Sequence, residues 1–247
     1  MSIEPLLNDK INSIIELFSS GHKTEALNNI KSLIDQHPNE SLLHNIGGVC
    51  YKSTGQLEMA VKCFERALEI KPDFADAHYN LGLTFQELDQ LDSAVKSYKK
   101  TLAIQANYVK AYNNLGIIYK ELGQMNDAVK SYEEALSHQP DFAEALNNLG
   151  NILTEMGKLD EAIKSYNQAL VIEPNYIEVH NNLGNILNDL GELDEAVEHY
   201  EKAIAFNPDY AEAHNNLGST LNDLGQLDSA VEHYEKAIAI NPDYAEA

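Results

Sequence analysis

Small and large apolar residues recur along this chain with a period of 34, and the period does not slip from Leu7 onward. Counting units from Leu7, Ser41, Ala75, Val109, Ala143, Ile177 and Ala211, position 7 is mostly leucine (Leu81, Leu115, Leu149, Leu183, Leu217) and position 8 is glycine from Gly48 to Gly218. Position 20 is alanine in every unit, from Ala26 to Ala230, and position 24 is aromatic from Phe64 to Tyr234. Each unit therefore predicts two amphipathic helices that approach closely at the small positions, with a ring as a knob beside a hole.

The punctuation agrees. Position 15 is usually glycine (Gly21, Gly55, Gly123, Gly157, Gly191, Gly225), as expected where a helix ends in a left-handed residue and the chain turns into a second helix. Position 32 is proline (Pro38, Pro72, Pro140, Pro174, Pro208, Pro242), which stops that second helix because proline cannot continue the backbone ladder. Asp141 with Glu144, Asn175 with Glu178 and Asp209 with Glu212 have capping-box spacing ahead of the next helix. Ile14 stands where glycine is expected in the first unit, which reads as an N-terminal cap. Asp89, Thr101 and Ala106 replace glycine, alanine and proline in the Ala75 unit, predicting a loosened or tilted junction near Ala106 and Asn107.

Leu-Gly at positions 7 and 8, Gly at 15, Ala at 20 and 27, an aromatic at 24 and Pro at 32 resemble the tetratricopeptide repeat (TPR) family over Leu7 to Tyr244. The resemblance implies an all-α protein, a right-handed superhelical α-solenoid of seven helix-turn-helix repeats. Residues 1–6 form a lead-in and 7–40 a degenerate capping repeat, followed by repeats 41–74, 75–108, 109–142, 143–176, 177–210 and 211–244. Residues 245–247 restart the pattern of Ala211 to Ala213, and no polar capping helix follows, so the expectation is a piece of a longer protein.

Charge narrows the partners. The net charge is −22 and Arg66 is the only arginine, so no face can neutralise a row of phosphates and neither nucleic acid nor an anionic membrane is expected. Repeats 143–176, 177–210 and 211–244 carry −3, −7 and −5, read as a solvated outer face or as a preference for neutral to basic partners. The N-terminus lacks a basic region ahead of an apolar stretch and no window approaches a membrane span, so a cytoplasmic location is expected. Cys50 and Cys63 match neither zinc nor redox spacing and are read as buried thiols.

In the TPR family, positions 2, 5, 6, 9, 12 and 13 of the first helix line a concave surface that receives extended peptides. Position 6 here is Asn80, Asn114, Asn148, Asn182 and Asn216, and position 5 adds Asn113, Asn147, Asn181 and Asn215. An asparagine amide both donates and accepts, so it can pair with a peptide unit whatever the side chains. The rows resemble the asparagines of the TPR region of O-GlcNAc transferase, which by that resemblance would hold a substrate backbone. Glu144, Glu178 and Glu212 at position 2, with Glu155, Asp189 and Asp223 at position 13, would edge the groove. Duplication alone could also produce the rows, since repeats 177–210 and 211–244 are identical at 27 of 34 positions. Yet asparagine is a mediocre helix former that an exposed face should not favour. Five such hydrogen bonds at a net value of about 1 kcal/mol each would give millimolar affinity or weaker.

Recognition of a C-terminal carboxylate is not expected, because position 5 never carries Lys, position 6 never carries Arg and only Lys110 occupies position 2. Histidines recur at position 4 (His44, His78, His180, His214) and position 23 (His199, His233). Copies one repeat apart should lie about a helix diameter apart, too far for a shared small-ion shell, so packing is the reading and no metal or cofactor is expected. Without a catalytic constellation the chain reads as a protein-interaction scaffold rather than an enzyme. Two alternatives stay open: the substrate-recruiting arm of a glycosyltransferase, sulfotransferase or oxygenase, and an array that self-associates through its last repeat.

Overall fold

The computed structural model describes residues 5–243, with side chains from Leu7 onward, so the start of the lead-in and residues 244–247 lie outside the described residues. Fourteen α-helices and no strand occur among them. In chain order they are α1 (Pro5–Ser19), α2 (Lys23–Gln36), α3 (Ser41–Ser53), α4 (Leu57–Ile70), α5 (Ala75–Glu87), α6 (Leu91–Ile104) and α7 (Val109–Glu121), then α8 (Met125–His138), α9 (Ala143–Glu155), α10 (Leu159–Ile172), α11 (Ile177–Asp189), α12 (Leu193–Phe206), α13 (Ala211–Asp223) and α14 (Leu227–Ile240). Helices pair as hairpins, seven helix-turn-helix units of a solenoid.

Packing divides the chain into two compact units, Met1–Ile118 and Tyr119–Ala247. Within the first, each helix from α1 to α6 packs on the next and α3 touches α5; within the second the same holds from α8 to α14, with α9 against α11 and α11 against α13. The core of the first unit gathers Leu7, Ile11, Ile14, Ala26, Ile30, Leu43, Ala60 and Phe64. That of the second is built from Leu149, Ile152, Tyr166, Leu183, Ile186, Tyr200 and Leu217, all buried.

The knob and the hole meet inside each hairpin. A Cβ added to Gly150 would lie 2.5 Å from the Tyr166 ring, and one on Gly184 would lie 2.6 Å from Tyr200. Any larger residue would drive the ring out, which is why the 8/24 pair changes together in the first hairpin: Ile14 replaces glycine and Ile30 replaces the aromatic, both buried in one core.

Each hairpin turn has a left-handed residue. Gly123 and Gly157 sit at φ of 71° and 73°, and Asp89, in the repeat without the glycine, takes φ 57° and keeps the turn. Its amide and that of Gln90 bond back to Gln86 and Phe85, as those of Gly123 and Gln124 do to Lys120 and Tyr119. At the junction near Ala106 and Asn107, where a loosened or tilted joint is expected, the end of α6 has the same local backbone as the end of α4. Helix α6 ends at Ile104, Gln105 adopts φ −132° and ψ 93° as Lys71 adopts −133° and 89°, and Tyr108 N–H bonds Gln105 O. Thr101 substitutes for alanine at no polar cost because its hydroxyl donates to Ser97 O at 3.2 Å.

The capping boxes do not form. Helices α9, α11 and α13 begin one residue later than the boxes require, with Phe142, Tyr176 and Tyr210 at the N-cap and no side-chain cap bond. Asp141, Asn175 and Asp209 then stand outside the N-cap, and Asn207 instead accepts the Asp209 amide at 3.1 Å.

Candidate functional site

The two asparagine rows occupy different environments. Position 5 faces inward: Asn113, Asn147 and Asn181 are buried, with Asn181 wholly so, and Asn215 is half-buried. Position 6 is half-buried at Asn80, Asn114, Asn148, Asn182 and Asn216. Position 5 lies inside because helix A of one repeat packs against helix A of the next and the fifth residue falls in that joint.

The rows bond to each other across the joint. In the first unit Asn80 Nδ2 donates to Asn45 Oδ1 at 3.0 Å. In the second, Asn182 Nδ2 donates to Asn147 Oδ1 at 3.5 Å and Asn151 Oδ1 at 2.9 Å; one repeat on, Asn216 Nδ2 donates to Asn181 Oδ1 at 3.1 Å and Asn185 Oδ1 at 3.0 Å. The position 24 phenols enter the same network, Tyr166 OH donating to Asn151 Oδ1 at 2.7 Å and Tyr200 OH to Asn185 Oδ1 at 2.8 Å. Burial pushes both phenols upward, so they stay protonated donors at any physiological pH.

A fixed polarity results. Asn182 directs both amide hydrogens inward, while Asn151 and Asn185 direct their oxygens inward, and no hydrogen bond among the described residues engages the remaining Asn182 Oδ1 or the Asn151 and Asn185 Nδ2 groups. These three residues line one open cleft of about 230 Å³ with Thr154, Glu155, Asp189 and Lys120. Lys120 Nζ pairs with Glu155 Oε1 at 2.6 Å, a half-exposed pair that adds little stability. The exposed Asp189 carboxylate adds an acceptor at the rim. The cleft thus presents amide donors, an amide acceptor and negative charge. Asn151 and Asn185 carry its donors; they lie outside the rows at positions 5 and 6, although two asparagines at position 9 of adjacent repeats are a readable signal.

The histidines form pairs within a repeat. His180 Nδ1 lies 3.0 Å from His199 Nδ1, and His214 Nδ1 lies 3.0 Å from His233 Nδ1. His180 Nε2 also lies 2.9 Å from Pro174 O and His214 Nε2 lies 3.0 Å from Pro208 O; a carbonyl only accepts, so Nε2 carries the hydrogen, Nδ1 is the acceptor, and the partner ring donates. His44 and His78 reach Pro38 O and Pro72 O in the same way. Burial holds His180 and His233 below the usual imidazole range and His199 down to about 4. Among the described residues no three His, Cys, Asp or Glu side chains gather as metal ligands. Cys50 and Cys63 are free thiols, and burial pushes Cys50 up to about 11. No described helix is long and apolar enough to cross a membrane.

Family models described as TPR repeat match residues 48–89, 87–123, 150–188 and 184–221, and models described as tetratricopeptide repeat match 109–142, 211–244 and 131–164. No protein of curated function matches. Among solved structures, MamA is 28% identical with a TM-score of 0.62, covering 68% of this chain and 98% of that one. PilF of Pseudomonas aeruginosa is 23% identical with a TM-score of 0.73, covering 83% and 95%. YrrB, described as a TPR protein with an unusual peptide-binding site, is 22% identical with a TM-score of 0.62, covering 74% and 95%.

Proposed function

Because the chain belongs to the tetratricopeptide repeat family, we propose that it is a protein-interaction scaffold whose asparagine-lined cleft in Tyr119–Ala247 receives an extended segment of a partner protein. The observation that carries this reading is the fixed polarity of Asn151, Asn182 and Asn185, whose outward groups supply both donors and an acceptor in one cleft. A peptide backbone offers the complement at every residue, and successive repeats stand about 10 Å apart, roughly three residues of extended chain. With Glu155 paired to Lys120, the Asp189 carboxylate leaves the cleft one net negative charge, which favours neutral to basic segments. The peptide-binding description of YrrB accords with this reading. Of the sites expected from sequence, Asn182 lines this cleft, while Asn147 and Asn181 lie in the joint behind it.

The test separates the outward donors from the inward joint. Asn151→Asp with Asn185→Asp keeps an oxygen for the tyrosine and asparagine donors but removes both outward amide groups. Titrating parent and variant by NMR with an uncharged extended peptide, the parent should bind with roughly millimolar affinity. The variant should lose that binding while its melting temperature holds. Equal binding by both would sink the proposal.

A further inference from the structure

We propose that the partner segment is a polyproline II stretch with a lysine or arginine at every third residue, and that two of these side chains take the places of lysines this chain lacks, beside Asp189 and Asp223. The proposal rests on the reading of the asparagine-lined cleft and names what that cleft selects. Ion pairs between successive repeats set the pattern. Lys52, at position 12 of its repeat, puts Nζ 2.6 Å from Oε1 of Glu87 at position 13 of the next. Lys120 and Glu155 make the same contact at 2.6 Å, again from position 12 to position 13 one repeat on.

In the next two junctions the acid is kept and the lysine is not. Thr154 holds position 12 ahead of Asp189, and Asn188 holds it ahead of Asp223. Both replacements are engaged elsewhere: Thr154 Oγ1 donates to Gly150 O at 2.9 Å, and Asn188 Oδ1 accepts from Thr220 Oγ1 at 2.8 Å. Asp189 and Asp223 are exposed, and no lysine, arginine or histidine among the described residues pairs with either. In both cases the vacated place belongs to the repeat before the acid, inside the second unit. Thr154 and Asp189 line the cleft together with Asn151, Asn182 and Asn185. A cationic side chain from a segment lying there meets Asp189 as Lys120 meets Glu155 one repeat earlier.

Spacing decides the conformation. The two acids are 34 residues apart in sequence and one repeat apart in the stack, about 10 Å. A β-extended segment turns successive side chains to opposite faces, so residues three apart point away from each other. Polyproline II has three residues per turn, so every third side chain returns to the same face after about 9 Å, close to the repeat spacing. It also makes no internal hydrogen bonds, which leaves its backbone for Asn182 Oδ1 and the Nδ2 groups of Asn151 and Asn185.

NMR titration in about 0.15 M salt tests it with three capped proline-serine peptides of equal length. One is uncharged, one carries two lysines three residues apart, and the third is an isomer with those lysines adjacent, which matches the charge but presents only one lysine to the acidic wall. The parent should bind the spaced peptide roughly tenfold more tightly than the uncharged one and about threefold more tightly than the isomer. Asp189→Asn with Asp223→Asn should bind the two lysine peptides alike. So should Thr154→Lys, which restores the chain's own lysine beside Asp189 and leaves one place open. A parent that binds the uncharged peptide but does not separate the isomers, or an Asp189→Asn, Asp223→Asn variant that still separates them, would overturn this proposal and leave the cleft reading standing. If the parent binds none of the three peptides, both fall together.

Discussion

In Met1–Ile118 the joint at Asn114 ends on phenols: its Nδ2 lies 3.2 Å from Tyr79 OH and 3.3 Å from Tyr98 OH. In Tyr119–Ala247 the equivalent groups of Asn182 and Asn216 end on amide oxygens of asparagines at positions 5 and 9. The backbone register is the same, so the helix-A joint needs an acceptor at that place and is indifferent to which chemistry supplies it. The outward side is not indifferent. Position 9 is Val49, Leu83 and Ile117 in the first unit but Asn151 and Asn185 in the second, where these two asparagines line a cleft. The joint and the outward amide groups are separable, and both units have the first.

The largest effect should come from the shared part. Tyr98→Ala and Tyr166→Ala each empty a ring-sized space beside a glycine, and each should cost about 3–5 kcal/mol in denaturant unfolding. A loss confined to one unit would break the claim of a common register. Next, Asn181→Leu removes an acceptor of Asn216 and a donor 2.8 Å from Glu212 Oε1 and should cost about 1–3 kcal/mol, whereas Tyr79→Phe, which leaves Asn114 its bond to Tyr98, should cost about 0.5–1.5 kcal/mol.

Acid sharpens the contrast, because the His–His pairs among the described residues lie in α11–α14. Their environment contains Lys202 around His180 and His199, and Lys236 with Glu232 around His233. The folded imidazoles of His180, His199 and His233 are depressed, so unfolded chains bind more protons and stability is present above the usual imidazole range, about 6.5. It should fall from there as pH drops toward about 4, the value for His199. Hydrogen exchange should show α11–α14 opening before α3–α6, and His199→Ala should flatten that difference. Smallest of all, Asp89→Gly should stabilise the first unit by roughly 0.5–1 kcal/mol by relieving a side chain at φ 57°, read as a shift in melting temperature.

Much of this architecture was legible in the chain. Glycine at position 15 and proline at 32 mark helix ends because their backbone chemistry is local, and the Gly150–Tyr166 complementarity shows as a fixed 16-residue spacing. What escaped depends on neighbours about 34 residues away. Asn181 and Asn182 are adjacent and chemically identical, yet one lies in the joint and the other edges the cleft, a difference set by which side of α11 meets α13. The His180–His199 pair joins positions 4 and 23 of one hairpin, 19 residues apart, a contact that the 34-residue period does not reveal. The capping boxes misled because a one-residue shift in the start of α9, α11 and α13 puts the acidic side chain beyond the helix amides.

The asparagine amides are divided between joint and cleft, a division that side-chain amide NMR reads directly. Asn182 and Asn216 Nδ2 hydrogens should exchange slowly and stay fixed when peptide is added, while those of Asn151 and Asn185 should exchange freely and shift in the titration. Slow, unresponsive Asn151 and Asn185 amides beside shifting Asn182 and Asn216 amides would contradict it.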